Sequence, residues 1–402
     1  MAAFSGAEIV NDGLVFHYDM ANTKKSWKGK PTINLITNPT FSSGSISPWT
    51  YQTTPNGNAS IDSTFKYDGN NSIKIVRTST GGESNVWLNL SAAQGLLPNT
   101  QYTFSAYCFS NNSSQAALFS YFGTTSNGFV YHSGSGNWER LEHTFTTRST
   151  EPYIQIRMWH NTTLLNSPIW FTNLQVEQSS FATPFVDGTR SNTQAILDLT
   201  GNNTVTANSL TYNSDNTFDL DGTSNYFSVS NFTTTFENGF TYFAFFRKDS
   251  TKSWSRLMDF GTGQDSNNIL IAQRSTNNTL VLHSQVGAQS GNLWGQIYSS
   301  SGILTNSSSY QCIAATIEPG TPGTQSTGKL YYNGSEVSAT VNTRHPFVPN
   351  NITRTSNYVG KSNWSSDSYW DGHIPTAMIY NRRLTAAEIK QNFEAIRSRY
   401  NI

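Results

Sequence analysis

Residues 33–187 carry a beginning and an end of their own, and that limits how this chain can fold. The segment opens on Asn34-Leu35-Ile36-Thr37-Asn38-Pro39-Thr40-Phe41 and closes on Phe181-Ala182-Thr183-Pro184-Phe185-Val186-Asp187-Gly188. Ahead of it stands a single strand and polar turn, Gly13-Leu14-Val15-Phe16-His17-Tyr18-Asp19-Met20-Ala21-Asn22. Behind it a second long series of strands begins. A chain of 402 residues has room for two cores. The pattern predicts one β-domain, residues 1–32 with 188–402, cut in two by another, residues 33–187.

The strand signals are dense. Ser72-Ile73-Lys74-Ile75-Val76-Arg77 and Gln101-Tyr102-Thr103-Phe104-Ser105-Ala106-Tyr107 alternate apolar and polar, as half-buried strands do. Phe240-Thr241-Tyr242-Phe243-Ala244-Phe245-Phe246 is nearly all apolar, as a strand covered on both faces would be. Asn333-Gly334 inside Lys329-Leu330-Tyr331-Tyr332-Asn333-Gly334-Ser335-Glu336-Val337 is a strong hairpin signal. Thr385-Ala386-Ala387-Glu388 reads as a capping box. The apolar residues Ala386, Ile389, Phe393, Ile396 and Tyr400 follow at helical spacing, so one C-terminal helix should pack on the outside of a sandwich. The fold class is all-β: two antiparallel sandwiches and one C-terminal α-helix.

Composition excludes several functions. Basic and acidic residues number 25 each, so the basic excess that phosphate binding needs is missing, and no nucleic-acid partner is expected. Charged residues make up 12% and aromatic residues 13%, a mixture suited to short strands joined by polar turns. No apolar run approaches membrane-helix length, so no membrane insertion is expected. The N-terminus shows no basic-then-apolar leader, which predicts synthesis in a cytoplasm and release by another route. Cys108 and Cys312 sit in apolar strands of different domains and are expected as buried free thiols. The many Asn-x-Ser/Thr triplets follow from the abundance of these residues and are not read as glycosylation sites.

Two resemblances rest on particular stretches. The opening Asn34-Leu35-Ile36 with Trp49, the turn and strand Leu97-Pro98-Asn99-Thr100-Gln101-Tyr102-Thr103-Phe104-Ser105, the strand Trp138-Glu139-Arg140-Leu141-Glu142-His143-Thr144-Phe145-Thr146 and the closing Leu174-Gln175-Val176-Glu177 resemble jelly-roll carbohydrate-binding modules. The outer domain resembles the laminin G-like or concanavalin A-like lectin fold. It does so through Phe218-Asp219-Leu220-Asp221-Gly222-Thr223-Ser224-Asn225-Tyr226, Leu330-Tyr331-Tyr332-Asn333-Gly334, Trp370-Asp371-Gly372-His373-Ile374 and Ile379-Tyr380-Asn381-Arg382-Arg383-Leu384. More narrowly, residues 13–24 and the junction Ala182-Thr183-Pro184-Phe185-Val186-Asp187-Gly188-Thr189-Arg190-Ser191 resemble virion structural proteins of tailed bacteriophages, cyanophages in particular.

Sugar rings stack their CH groups on aromatic faces beside side-chain amides and carboxylates. In the inserted domain Trp87, Tyr153 and Trp159 are the candidate binding residues. Trp87 follows Gly81-Gly82-Glu83, and Trp159 precedes the polar loop His160-Asn161-Thr162. Ordinary core packing is the competing reading, and Trp138 and Trp170 are assigned to the core. In the outer domain Asn363, Trp364, Asp367 and Tyr369 form a polar loop with aromatics, with Trp364 and Tyr369 expected at its surface. Trp294 lies in another loop, Gly291-Asn292-Leu293-Trp294-Gly295. The same aromatics would anchor a protein partner equally well. Asp198 with Asn202, and Asp219 with Asp221, are candidate calcium ligands, with simple turn closure as the alternative. No other cofactor is expected.

Catalytic patterns are missing. Concanavalin A-like glycosidases carry Glu-x-Asp-x-x-Glu on one strand, and no Glu-x-Asp occurs here. No His-x-x-x-His pair, Gly-x-Ser-x-Gly turn or phosphate loop occurs. The expectation is a non-enzymatic virion surface protein, a tail-fibre component or capsid decoration, that binds host-surface glycans. Its other partners would be virion proteins and further copies of itself. The alternatives are a purely structural lattice protein and, remotely, a glycan depolymerase.

Overall fold

The computed structural model describes residues 8–51, 57–79, 84–123, 125–150, 152–160, 164–215, 217–287 and 293–402. The chain divides into two compact units: one runs to Gly29 and resumes at Asn192, and the other is Lys30–Ser191. Within the discontinuous unit the two chain passages run side by side, with Trp27 bridged to Ile196 and the Lys28 amide donating to the Ala195 carbonyl at 2.8 Å. Within the inserted unit, Thr32–Ile33 pairs antiparallel with Thr189–Arg190.

The inserted unit is a sandwich of two five-stranded antiparallel sheets. One has the order Trp138–Thr146, Gln101–Phe109, Ile169–Glu177, Asn70–Arg77, Gly57–Tyr67, and the other Thr50–Tyr51, Ser84–Leu90, Ile154–His160, Ala116–Phe122, Thr125–Tyr131. Alternation along each strand fills the core: Ile73, Ile75, Phe104 and Ala106 from the first sheet meet Val86, Leu88, Ile154, Ile156 and Met158 from the second. Ile169, Phe171, Leu174 and Val176 all reach that core despite a three-residue step. Asn173, at φ 51, sits in the register shift that makes this step possible. The opening Asn34 ties the start of the unit to its end. Its side-chain amide donates to the Leu174 and Val186 carbonyls at 2.9 and 3.1 Å, and its oxygen accepts from the Val176 amide at 3.1 Å.

The discontinuous unit holds two eight-stranded antiparallel sheets. In one, Asp371–Tyr380 lies between Phe240–Lys248 and the opening strand Leu14–Asp19. Phe240, Tyr242, Ala244 and Phe246 face the inter-sheet core, while Phe243 and Phe245 face the C-terminal helix. That double covering explains the continuous apolar run. The helix, Ala386–Ile396, is capped by the reciprocal Thr385–Glu388 box and buries Ile389, Phe393 and Ile396 against Phe243, Phe245, Met378 and Tyr380. The other sheet has the order Val205–Asn208, Tyr226–Val229, Ser356–Val359, Arg256–Gly261, Ile269–Arg274, Thr279–Gln285, Trp294–Ser299, Ala339–Asn342. The Asn333-Gly334 turn takes φ of 47 and 78°, the left-handed pair that a two-residue hairpin of this kind requires. Cys108 and Cys312 are buried free thiols, and burial pushes both pKa values up. Among the described residues no helix is long and apolar enough to cross a membrane.

Candidate functional site

The alternation that fills the inserted unit's core dictates what stands on its outer faces. In Ser84–Leu90, Val86, Leu88 and Leu90 point inward, so Trp87 and Asn89 point outward. In Ile154–His160, Ile154, Ile156 and Met158 point inward, so Gln155, Arg157 and Trp159 point outward. Register then places Trp87 opposite Arg157, Arg157 opposite Phe119, and Phe119 opposite Phe129. The neighbouring row is Asn85, Trp159, Ala117 and Tyr131.

The result is an aromatic platform with a cation at its centre. The Arg157 guanidinium lies 4.0 Å from the Tyr121 ring centroid, 5.6 Å from Trp87 and 5.7 Å from Phe119. Phe119 stacks on Phe129 at 4.5 Å, and Phe129 lies 5.3 Å from Trp159. Phe129 and Tyr131 are about two-fifths exposed, at 39 and 41%. Trp87 and Trp159 are half-buried. Tyr153 is exposed and its hydroxyl donates to Asn89 Oδ1 at 2.9 Å, the same oxygen that accepts from Gln155 Nε2 at 2.9 Å. The Trp159 indole N–H is buried and has no hydrogen-bond partner among the described residues. Flat apolar rings flanked by the amides of Asn89 and Gln155 are what a sugar ring needs: faces for its CH groups and partners for its hydroxyls.

The structure brings the predicted Trp87 and Trp159 together with Phe119, Tyr121, Phe129, Tyr131 and Arg157, which the sequence reading did not name. The readable signal was strand alternation in residues 116–122. Which strand neighbours which had to come from the fold. The loop residues 81–83, 161–163 and 291–292 lie outside the described residues.

Trp138 and Trp170 are not core residues, contrary to expectation. Both are half-buried on the outer face of the other sheet, in a ring cluster with Phe65, Tyr67, Tyr107 and Phe109. The two tryptophans share strands with core residues but fall on the opposite parity. Trp170 Nε1 donates to Asp62 Oδ2 at 3.0 Å.

In the discontinuous unit the predicted loop is drawn into its own structure. Trp364 is half-buried, packed with Trp254 and Tyr298 on Leu270, Ala272 and Val281. Arg256 lies 5.6 Å from the Trp254 centroid and 5.4 Å from that of Trp364, and pairs with Asp367 at 2.5 Å. Asn363 gives its backbone N–H and side-chain amide to the buried Asp259 carboxylate at 2.9 and 3.0 Å. Burial raises the pKa of Asp259. Tyr369 is also half-buried, 6.0 Å from Tyr226, with Lys361 Nζ 5.9 Å from its centroid. Trp370 is core, its Nε1 bonded to the Arg247 carbonyl. Trp254, which sequence reasoning missed, holds φ 54, rare for so bulky a residue.

Two of the candidate calcium ligands, Asp198 and Asp221, close turns. Asp198 accepts from the amides of His17, Thr200 and Asn203 at 3.0, 3.1 and 3.0 Å. Asp221 accepts from the amides of Thr223, Ser224 and Asn225 at 2.9, 2.8 and 2.9 Å. Asp219 pairs with Arg247 at 2.6 Å, and exposed Asn202 donates its amide to Thr200 Oγ1. Among the described residues no three His, Cys, Asp or Glu side chains gather as metal ligands would.

Residues 221–390 match the family model of the concanavalin A-like lectin/glucanases superfamily, and residues 33–163 match that of a carbohydrate binding domain. The chain joins a laminin G/concanavalin A-like lectin domain to a carbohydrate-binding module. The two-domain, all-β fold class is therefore the one the strand pattern predicted. No curated protein matches the chain. Among solved structures, domain 4 of AbnA, an extracellular arabinanase of Geobacillus stearothermophilus, in complex with arabinotriose, is 18% identical; the match covers 50% of this chain and 92% of that one, with a TM-score of 0.37. The Ruminococcus gnavus IT-sialidase CBM40 bound to α2,6 sialyllactose is 12% identical over 39% of this chain and 83% of its own, TM-score 0.32. TmCBM61 in complex with β-1,4-galactotriose is 15% identical over 36% of this chain and 99% of its own, TM-score 0.28.

Proposed function

We propose that this chain is a non-catalytic glycan-binding protein of a virion surface, attaching a tailed phage to host glycans through its carbohydrate-binding module. The observation that carries glycan binding is the Trp87–Arg157–Phe119–Phe129 row with Trp159 and Tyr131 beside it, an outward aromatic face in a module matched to carbohydrate binding. The virion placement, with other virion proteins and further copies of the chain as partners, rests on residues 13–24 and the 182–191 junction, which resemble phage structural proteins. Location on a tail fibre and on a capsid are both compatible with it.

The test is a glycan array followed by incubation with the polysaccharide bound best. The chain is expected to bind and to release no reducing ends. Of the two carboxylates nearest a glycosidase arrangement, Asp219 is paired with Arg247 and Asp221 caps a turn. Turnover abolished by Asp219→Asn or Asp221→Asn would make the protein a depolymerase. An array with no binding, together with incorporation into particles that needs Trp87 and Trp159, would make it a lattice protein.

The domain division has its own test. Ile33 and Thr189 are paired across adjacent strands, so their Cα atoms lie about 5 Å apart, close enough for a short linker. Deleting residues 34–187 and bridging with a short Gly-Ser linker is expected to leave a folded lectin-like domain, with β-type circular dichroism and resistance to proteolysis. A product that is proteolysed like an unfolded chain would refute the two-part division.

A further inference from the structure

The long sheet of the discontinuous unit carries polar groups on its outer face that no contact among the described residues satisfies. His283 and Gln296 stand opposite each other on Thr279–Gln285 and Trp294–Ser299. Their neighbours Leu282 and Ile297 enter the core, so both side chains point outward. The Trp294 indole is stacked on the His283 ring, centroids 5.6 Å apart and planes 10° apart. His283 Nε2 and Gln296 Oε1 are shielded from solvent and have no hydrogen-bond partner among the described residues, and the Gln296 side chain belongs to a residue only 6% exposed. A buried acceptor left without a donor is unfavourable, because it has lost water and gained nothing in exchange. Two on adjacent strands, one of them on a ring stacked against a half-buried tryptophan, form a set that a ligand would complete. Burial also keeps His283 neutral, its pKa lowered to about 3.

We propose that Trp294, His283 and Gln296 form a second saccharide site, on the lectin-like domain, that takes a neutral sugar ring. Hydroxyls of the sugar bond to Gln296 Oε1 and His283 Nε2, and the ring's CH face lies on the indole. Trp294 is stacked on the His283 ring, so a sugar bound there changes the surroundings of its indole. Gln296 is uncharged, and Arg256, the cation that bears on His283, is already paired with Asp259 and Asp367, so the site favours neutral sugars over uronic and sialic acids. The site belongs to a different unit from the aromatic face of the inserted unit and does not depend on it.

The test uses the full chain with Trp87→Ala and Trp159→Ala, labelled at histidine and titrated with neutral trisaccharides of arabinose, galactose, xylose, glucose and mannose at millimolar concentration. At least one is expected to move the His283 ring resonances and to change Trp294 fluorescence. Adding Trp294→Ala or Gln296→Leu should weaken that response about tenfold, the effect of losing a stacking face or a ligand hydrogen bond. A galacturonic acid trisaccharide should leave the resonances in place. No shift with any of the five neutral sugars overturns the proposal, as does a shift that both added substitutions leave unchanged. The histidine signal reports on the lectin-like domain itself, so failure of the inserted unit's site gives a different result.

Discussion

Changing Trp87 or Trp159 to alanine is expected to lower glycan affinity five- to a hundredfold, about 1–3 kcal/mol for loss of one stacking ring. Trp87 flanks the Arg157 guanidinium, and Trp159 sits within 6.0 Å of Phe119 and 5.3 Å of Phe129. Both rings are half-buried on a regular sheet rather than on loops, so they hold their geometry without a ligand and lose little entropy on binding. Trp364→Ala is the informative control. That ring covers Leu270, Ala272 and Val281, so its removal should lower the melting temperature of the lectin-like domain and leave binding by the inserted unit unchanged. Arg157→Met separates cation from stacking: it keeps the stem and removes the charge that faces three rings. Isothermal titration of the best array ligand against these four variants is the measurement. Wild-type affinity in both Trp87→Ala and Trp159→Ala would remove the platform from the function.

The fold was legible because its signals are local. Alternation in residues 72–77 and 101–107, the apolar run at 240–246 and the Thr385–Glu388 box each report a burial pattern set by a strand's or helix's own period. The aromatic face proposed as the site was legible only in part, because a sheet face is assembled across strands. Trp87 and Trp159 announce themselves by residue type. Phe119, Phe129 and Tyr131 join them only through a register between residues far apart in sequence. Parity misled in the same way at Trp138 and Trp170. Each lies in a strand with buried neighbours, and a one-residue difference in phase turns the side chain to the other face. The loop of Asn363 and Asp367 looked like a binding loop because polar residues accompany aromatics there. Its polar groups face inward, onto Asp259 and Arg256.

Acid is expected to destabilise this protein well above the pH at which its carboxylates titrate. Burial holds His17, His143 and His373 neutral, with pKa values lowered to about 4, and His283 to about 3. Near His17, Asp19 and Asp198 pull the other way without overcoming burial. Each folded value lies below the unfolded value of 6.5, so the unfolded chain binds protons that the folded chain refuses. The full stability is therefore present above about pH 6.5 and is lost as pH falls toward 4. Each histidine contributes about 1.4 kcal/mol per pH unit within that window, or about 3 kcal/mol in all. Glu139 and Glu388 have pKa values near 2, depressed by hydroxyl and amide donors and by Arg382 respectively, so their contributions are lost only at lower pH. Asp259, raised by burial, works in the opposite direction. Three of the four histidines lie in the discontinuous unit, so the lectin-like domain left after deleting residues 34–187 should be the more acid-sensitive part. In the inserted unit His143 Nε2 lies 2.8 Å from Ser120 Oγ, and His143→Gln keeps a polar partner while removing the titration. Thermal melts from pH 7.5 to 4.5 should fall steadily for the wild type and less steeply for His143→Gln. A melting temperature flat between pH 6.5 and 5 would show that these histidines accept protons in the folded state and that burial does not hold them neutral.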